Sequence, residues 1–218
     1  LWEDPKPGVY ESEWWQFTIP EVEEDIGLRA HIRPYQQPHP PIGLAGISPH
    51  SSTIKMAASR GWIPMSINII PAVLLKTHWA AIEAGAQDSG RTPESGAWRV
   101  ARDIFVAETS AAARKQVLDG VIARDFKEYF LRLLPKVGML GLMKNDPDMA
   151  DSDVTIDYLI DNLFIVGNVD EVAQKLNDLR GDIGEFGTLL AMGHEWKPHG
   201  PWLESMSLLK NEVLPKIS

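Results

Sequence analysis

A group of hydroxyl side chains and one histidine stands between a short apolar segment, residues 41–46, and a segment of helical character. The members of this group are Ser48, His50, Ser51, Ser52 and Thr53. The first turn of a helix carries N–H groups without partners and a partial positive charge, so hydroxyls beside it predict an anion site. The alternative is that the serines only cap the helix. A place after the carboxyl end of a strand, where α/β folds bind ligands, favours the anion site.

A second group of polar residues lies near the end of the chain and comprises His194, Glu195, Trp196 and His199. A zinc-binding HExxH motif needs both histidines on one helical face, but here the second histidine comes one residue too late and Pro198 interrupts the helix. We therefore predict no metal site. Because the group follows an apolar strand, its side chains are candidates for the border of a ligand pocket.

Arg99 and Arg102 lie in an apolar segment that has the composition of a strand. Their odd separation places them on opposite faces of that strand. One guanidinium is expected to pair with Asp103 or Glu108, and the other to reach a ligand. The alternative is a structural salt bridge for both.

Composition excludes several classes of function. The 218 residues carry a formal net charge of −9 and contain no cysteine. An acidic chain without a basic stripe is a poor partner for nucleic acid, and a chain without thiols has neither disulfides nor cysteine nucleophiles. We find no signal peptide and no apolar run of about 18 residues, so we expect a cytoplasmic protein without a membrane span. The glycine-rich nucleotide motifs and the hydrolase elbow are absent as well.

Strands and helices alternate from residue 41 onward, which predicts an α/β fold with parallel strands. The predicted strands are residues 41–46, 63–67, 98–107 and 186–192. Helices are predicted at residues 51–60, from Pro71 to Gly90, after Thr109, after Asn168 and from Pro201. The helix after Thr109 is expected to carry on one side Val117, Val121, Phe126, Tyr129 and Leu133. The helix from Pro201 is expected to bury Met206, Leu209 and Val213. Four strands cannot close a barrel, so they form half of one or part of an open sheet.

Two regions depart from this alternation. Residues 1–40 are rich in proline and predict a loop with one short extended piece, anchored by aromatic residues such as Trp14 and Trp15. Residues 135–153 predict an irregular insertion, of the kind that often forms a lid.

Five segments, in order along the chain, resemble the luciferase-like flavin monooxygenases of bacteria, especially the branch of limonene monooxygenase-like enzymes. They are residues 40–51, 61–66, 98–109, 165–173 and 212–215. The resemblance implies a TIM (β/α)8 barrel of the luciferase-like type, of which this chain covers roughly the second half. Residues 1–40 would then be a loop-rich segment that joins a missing first half, and residues 41–218 the C-terminal half-barrel. The start at Leu1, without an initiator methionine, agrees with this expectation.

The resemblance also implies a reaction. Reduced FMN from a separate flavin reductase reacts with O2 to give a C4a-peroxyflavin, which oxygenates a small apolar or carbonyl substrate. Two alternatives stay open: a deazaflavin-dependent oxidoreductase of the same superfamily, and a non-catalytic flavin-binding partner subunit. A homodimer or related oligomer is expected, because members of the family tend to form dimers.

Site residues carry over from the family in part. Ser48, Ser51 and Ser52 match the positions that hold the flavin phosphate, with His50 and Thr53 beside them. The Pro49-His50 pair departs from the family pattern and leaves the role of His50 open. Pocket-edge positions correspond to Arg99, His194 and Trp196. The catalytic residues of the family come from the first half, so the sequence assigns none here.

Overall fold

The computed structural model describes residues 6–28, 34–195 and 197–217. The chain divides into two compact units, with the boundary between Ile42 and Gly43. Each unit is described on its own below.

The first unit contains a β-hairpin. Strand β1 (Gly8–Glu11) pairs antiparallel with β2 (Gln16–Ile19). The predicted single extended piece is therefore two strands. Trp14 and Trp15, in the connecting turn, are 77% and 76% exposed, so the expected anchoring by these rings is not observed among the described residues.

Six short parallel strands form the centre of the second unit. They are β3 (Gly43–Gly46), β4 (Ile63–Ser66), β5 (Arg99–Arg102), β6 (Ile104–Val106), β7 (Ile165–Gly167) and β8 (Thr188–Ala191). One sheet has the order β3-β4-β5-β8, and β6 pairs separately with β7. Parallel pairing throughout brings the carboxyl ends of β3, β4, β5 and β8 to one edge.

The predicted strand at residues 98–107 divides at Asp103. The N–H of Met192, after β8, donates to the carbonyl of Arg102, while the N–H of Ile165 in β7 donates to the carbonyl of Asp103. The hydrogen-bonding neighbour of the chain thus changes from β8 to β7 between Arg102 and Asp103.

α-Helices connect the strands and pack against them. They are α1 (Ser52–Arg60), α2 (Ala72–Asp88), α3 (Ser110–Asp119), α4 (Val121–Asp125), α5 (Leu131–Lys136), α6 (Ile156–Asn162), α7 (Val169–Ile183) and α8 (His199–Leu208). Turns of π-helix, Phe126–Phe130 and Leu209–Val213, join α4 to α5 and extend α8. Beyond the end of α5, the predicted irregular insertion at residues 135–153 contains only short 3-10 turns, Leu140–Met143 and Asp151–Asp153.

Helix boundaries follow from side chains that the sequence shows plainly. The Asn168 side chain accepts from the N–H of Glu171 at 3.0 Å, and the Thr109 hydroxyl accepts from the N–H of Ala112 at 3.1 Å. Both residues are N-caps, as predicted. Gly61 ends α1 with a left-handed φ of 69°, a conformation that glycine adopts at little cost.

Several predicted helical details are wrong. The long helix after Thr109 breaks at Gly120, and Tyr129 and Leu133 are exposed because the π-turn shifts the helical face. Met206 of α8 is also exposed, whereas Trp202 is buried. The sequence analysis missed α6 altogether.

Helices α1 and α2 pack with their backbones in close contact at Gly85. A Cβ atom added there would overlap the carbonyl of Lys55. Among the described residues, none of the helices is both long and apolar enough to cross a bilayer.

Two glycine substitutions test this close packing. Gly85→Ala forces the two helices apart, so we expect the free energy of unfolding to fall by about 1–3 kcal/mol. Gly181→Ala, in a helix where nothing lies within 4 Å of the added Cβ, should raise it by about 0.5–1 kcal/mol through helix propensity. Denaturant unfolding of both variants measures the difference, and similar effects of the two would contradict the assigned contact.

Candidate functional site

The loops that follow β3, β4, β5 and β8 meet at the carboxyl edge of the sheet. They contribute two groups of side chains, one around the start of α1 and the other around His194. In parallel α/β folds this edge is where ligands bind.

The start of α1 lies directly over the end of β3. A Cβ atom at Gly46 would overlap the side chains of Ile54 and Ser51, so only glycine permits this approach. The Ser51 hydroxyl accepts from the N–H of Ile54 at 3.3 Å and is the N-cap of α1. Ser51 therefore does what the capping alternative requires. Ser51 is 2% exposed, so its hydroxyl serves the cap and is not one of the donors that the loop exposes.

The structure brings the other members of the predicted anion site together at this helix start. Ser48, His50 and Ser52 are exposed, and Thr53 is half-buried. His50 has a left-handed φ of 48°, which is uncommon for a residue with a side chain. The group thus presents hydroxyls around the positive end of α1.

A buried chain of hydrogen bonds connects the interior of the unit to the loop after β3. The indole N–H of Trp98 donates to the Ser66 hydroxyl at 2.8 Å. Ser66 Oγ lies 2.8 Å from His78 Nδ1, and His78 Nε2 lies 2.9 Å from the carbonyl oxygen of Ser48. Trp98, Ser66 and His78 are fully buried.

The end groups fix the direction of this chain. A carbonyl only accepts, so His78 carries a proton on Nε2. In a neutral ring Nδ1 is then an acceptor, and the Ser66 hydroxyl, which accepts from the Trp98 indole N–H, donates to it. Burial lowers the pKa of His78, and the hydrogen bond to the carbonyl of Ser48 offsets only part of this shift. His78 is therefore neutral.

The second group is centred on His194, after β8. Its Nε2 lies 2.8 Å from Asp103 Oδ1, and its Nδ1 lies 2.8 Å from Asp125 Oδ2. The Asn68 amide donates to the other oxygen of Asp103 at 2.7 Å. A carboxylate on each side requires both ring nitrogens to donate, which is the bonding of an imidazolium.

Electrostatics agree with that protonation state. Burial by itself lowers the pKa of His194, but the hydrogen bonds to Asp103 and Asp125 outweigh it and the pKa is raised. Burial likewise raises the pKa of Asp125, yet hydrogen bonds from His194 and Arg124 bring it below its usual value. Arg124 also pairs with Glu195 at 2.7 Å.

Of the three predicted pocket-edge residues, the two that the structure describes, Arg99 and His194, do not come together. His194 lies at the carboxyl edge, with both ring nitrogens bound to carboxylates. Arg99 donates to the carbonyls of Gly96 and Ala97, which precede β5, so its guanidinium is directed to the opposite end of the strand. Trp196 lies outside the described residues.

Neither arginine of β5 forms an ion pair with the predicted partners Asp103 and Glu108 among the described contacts, and the predicted contact of the other arginine with a ligand stays a prediction. Arg102 is 2% exposed and donates to the carbonyl of Ala101. Burial lowers its pKa to about 10, although the neighbouring Asp103 opposes the shift.

The sequence analysis did not place Asn68, His78 or Asp125 at the site, and it named Asp103 only as a possible partner of an arginine. A detectable signal existed for Asp103, since a carboxylate within an apolar strand must find buried partners. Asn68 follows a strand end in the same way as the predicted residues. Nothing in the local sequence marks Asp125.

His194→Gln tests the charged state of the second group. The raised pKa of His194 means that its charge stabilises the fold fully below about pH 6.5, the usual histidine value, and that this contribution is lost as pH rises through the folded-state pKa. We expect the variant to lose about 1–3 kcal/mol of unfolding free energy at pH 6 and progressively less toward pH 9. Urea titrations at several pH values measure this trend.

The exposed His199 provides a matched control for that experiment. His199→Gln makes the same chemical change without disturbing the bonds to Asp103 and Asp125. A loss that does not diminish with rising pH in His194→Gln, or one equally large in the control, would contradict an imidazolium at His194.

Comparison with known proteins gives the family. The family model described as "Luciferase-like monooxygenase" matches residues 10–184. The 3,6-diketocamphane 1,6-monooxygenase of Pseudomonas putida is 30% identical over 218 residues, which are 97% of this chain and 57% of that protein. The limonene 1,2-monooxygenase of Rhodococcus erythropolis is 25% identical over 190 residues, 85% of this chain and 45% of that protein.

A solved structure shares the fold. The oxygenating constituent of 3,6-diketocamphane monooxygenase from Pseudomonas putida, described as a type II Baeyer–Villiger monooxygenase in complex with FMN, has a TM-score of 0.80 and 30% identity. The match covers 98% of this chain and 59% of that one. The chain thus spans a little over half the length of these two Pseudomonas proteins, and its parallel strands belong to part of a TIM barrel, as predicted. The chain belongs to the luciferase-like monooxygenase family.

Proposed function

We propose that the protein is a flavin-dependent monooxygenase in which the start of α1 holds the phosphate of FMN. The observation that carries this proposal is the group of hydroxyls around the N-terminus of α1, at the carboxyl edge of a parallel sheet. The FMN complex of the Pseudomonas structure gives independent support.

The residues present fit a phosphate group. The first turn of α1 offers backbone N–H groups and the positive end of the helix dipole. Ser52 and Thr53 add hydroxyl donors, and Gly46 lets the helix approach the strand end. Lys55, the first cation of α1, pairs with Asp88 at 2.7 Å, so dipoles and hydroxyls, more than a bound lysine, would balance the phosphate charge.

Reduced FMN, when bound, would supply the reaction with O2. The chain's own contribution is to anchor the phosphate and to keep the loop after β3 in place. We propose a small apolar or carbonyl compound as substrate, supported by the diketone and terpene names of the relatives. We also propose that reduced flavin comes from a separate reductase, since the Pseudomonas structure is described as an oxygenating constituent, and that the protein works as a homodimer or related oligomer.

Ser52→Ala tests the phosphate assignment without disturbing the helix cap. Loss of one donor to the phosphate should weaken FMN binding roughly threefold to tenfold, measured by quenching of flavin fluorescence. Ser51→Ala should weaken binding as well, because it removes the N-cap that orders the first turn of α1, at a cost of about 1 kcal/mol of stability.

Ser59→Ala is the matched control, because Ser59 lies at the other end of α1 and donates to the carbonyl of Met56. Equal FMN affinity in the wild type and in both Ser52→Ala and Ser51→Ala would refute the phosphate assignment.

Oxygen uptake tests the reaction class. The intact protein, supplied with FMN, a flavin reductase, NADH and a bicyclic ketone, should consume O2 and give an oxygenated product in equal amounts, as followed with an oxygen electrode and mass spectrometry. Free reduced flavin also consumes O2, so the reductase alone is the control. Hydride transfer with a deazaflavin, without oxygenated product, would contradict the proposal.

A further inference from the structure

We propose that Thr77 and His78, adjacent residues of α2, are positioning residues that hold the loop after β3 in the shape that binds the flavin phosphate. The inference rests on the proposed function, because it concerns the same loop. Neither side chain is placed on the phosphate itself. Both act on the backbone of the residues between β3 and α1.

His78 fixes the carbonyl of Ser48. Its Nε2 donates to that oxygen at 2.9 Å, and its other ring nitrogen is occupied by Ser66, which in turn accepts from Trp98. Each member of this buried chain has one possible donor direction, so the imidazole cannot turn away without leaving a buried polar group unsatisfied. The Ser48 peptide is thereby tied to the interior of the unit.

Thr77 fixes the next peptide group that can donate. Its hydroxyl donates to the carbonyl of Leu74 at 2.7 Å and accepts from the N–H of His50 at 3.0 Å. His50 is the residue with a φ of 48°, a conformation that persists only where the surroundings support it. The bond from Thr77 is such a support.

The two contacts decide which groups face an anion. Pro49 has no N–H, and the N–H of His50 is directed to Thr77. The N–H of Ile54 is taken by the Ser51 cap. The first-turn N–H groups that remain are those of Ser52 and Thr53, so the orientation of α1 relative to the loop determines phosphate recognition.

The test compares FMN with riboflavin, which has the same ring system but no phosphate. For the intact protein and each variant, fluorescence titration gives the two dissociation constants and their ratio. Thr77→Val keeps the shape of the side chain but loses the acceptor, and His78→Leu removes the donor to Ser48. We expect each to lower the preference for FMN roughly tenfold while the affinity for riboflavin stays unchanged.

Two further variants separate positioning from general damage. Thr77→Ser restores the hydroxyl and should restore the preference for FMN. Ser59→Ala removes a hydroxyl that also donates to a carbonyl three residues earlier in its helix. This hydroxyl lies at the far end of α1 from the loop, so its loss should leave the preference unchanged. If His78→Leu does not fold, Thr77→Val decides the matter alone.

The outcomes distinguish this inference from the proposed function. A wild-type protein that binds FMN and riboflavin equally would refute the phosphate site itself. A wild-type preference for FMN that survives in Thr77→Val would overturn the positioning role while the phosphate site stands. Loss of both affinities in parallel would also overturn it, since that is the effect of general unfolding.

Discussion

The buried carboxylate of Asp103 is the constraint on which the arrangement of the carboxyl edge depends. Asp103 is fully buried at the residue where the chain changes from β5 to β6. A charge without water costs several kcal/mol unless it is paired and hydrogen-bonded. Its two oxygens are satisfied by Asn68, from the loop after β4, and by His194, from the loop after β8. One desolvated group thus draws three strand ends together.

The same edge carries a second network of opposite character. The hydrogen-bonded chain from Trp98 through Ser66 and His78 to Ser48 contains no charged group. It is held by hydrogen bonds in which each group donates to the next. It connects α2 and β4 to the loop where an anion would bind. The charged network extends instead to Asp125, which directly precedes a π-helical turn, a feature that is frequent at functional sites. The two networks are adjacent at the end of β4, because Ser66 is the last residue of this strand and Asn68 follows two residues later.

How far the sequence predicted this depends on the range of the interactions. Caps such as Asn168 and Thr109 are local, so their residue types were sufficient, and strand ends followed from the alternation of strand and helix. The clustering of hydroxyl residues at the start of α1 was predictable because these residues are close together in sequence. The partners of His194 were not predictable in this way, since Asp125 is 69 residues away and lies at the end of α4, just before a π-turn that no residue pattern indicated. Arg99 was misplaced because period-two alternation gives the face of a strand but not the direction in which a long side chain extends along it.

The two histidines differ in protonation state, and each state suits the loop that the histidine contacts. His78 is neutral because burial without a carboxylate disfavours charge, and its proton is needed on Nε2 for the bond to Ser48. His194 is charged because two carboxylates face it. The pKa of His78 is lowered and that of His194 is raised, so His78 is already neutral over the pH range in which His194 loses its proton. The support of the loop after β3 therefore stays unchanged over that pH range, while the packing of the loop after β8 is sensitive to it. For the phosphate site that we propose in this loop, the separation is an advantage, because a change of charge next to the loop would alter both its shape and its affinity.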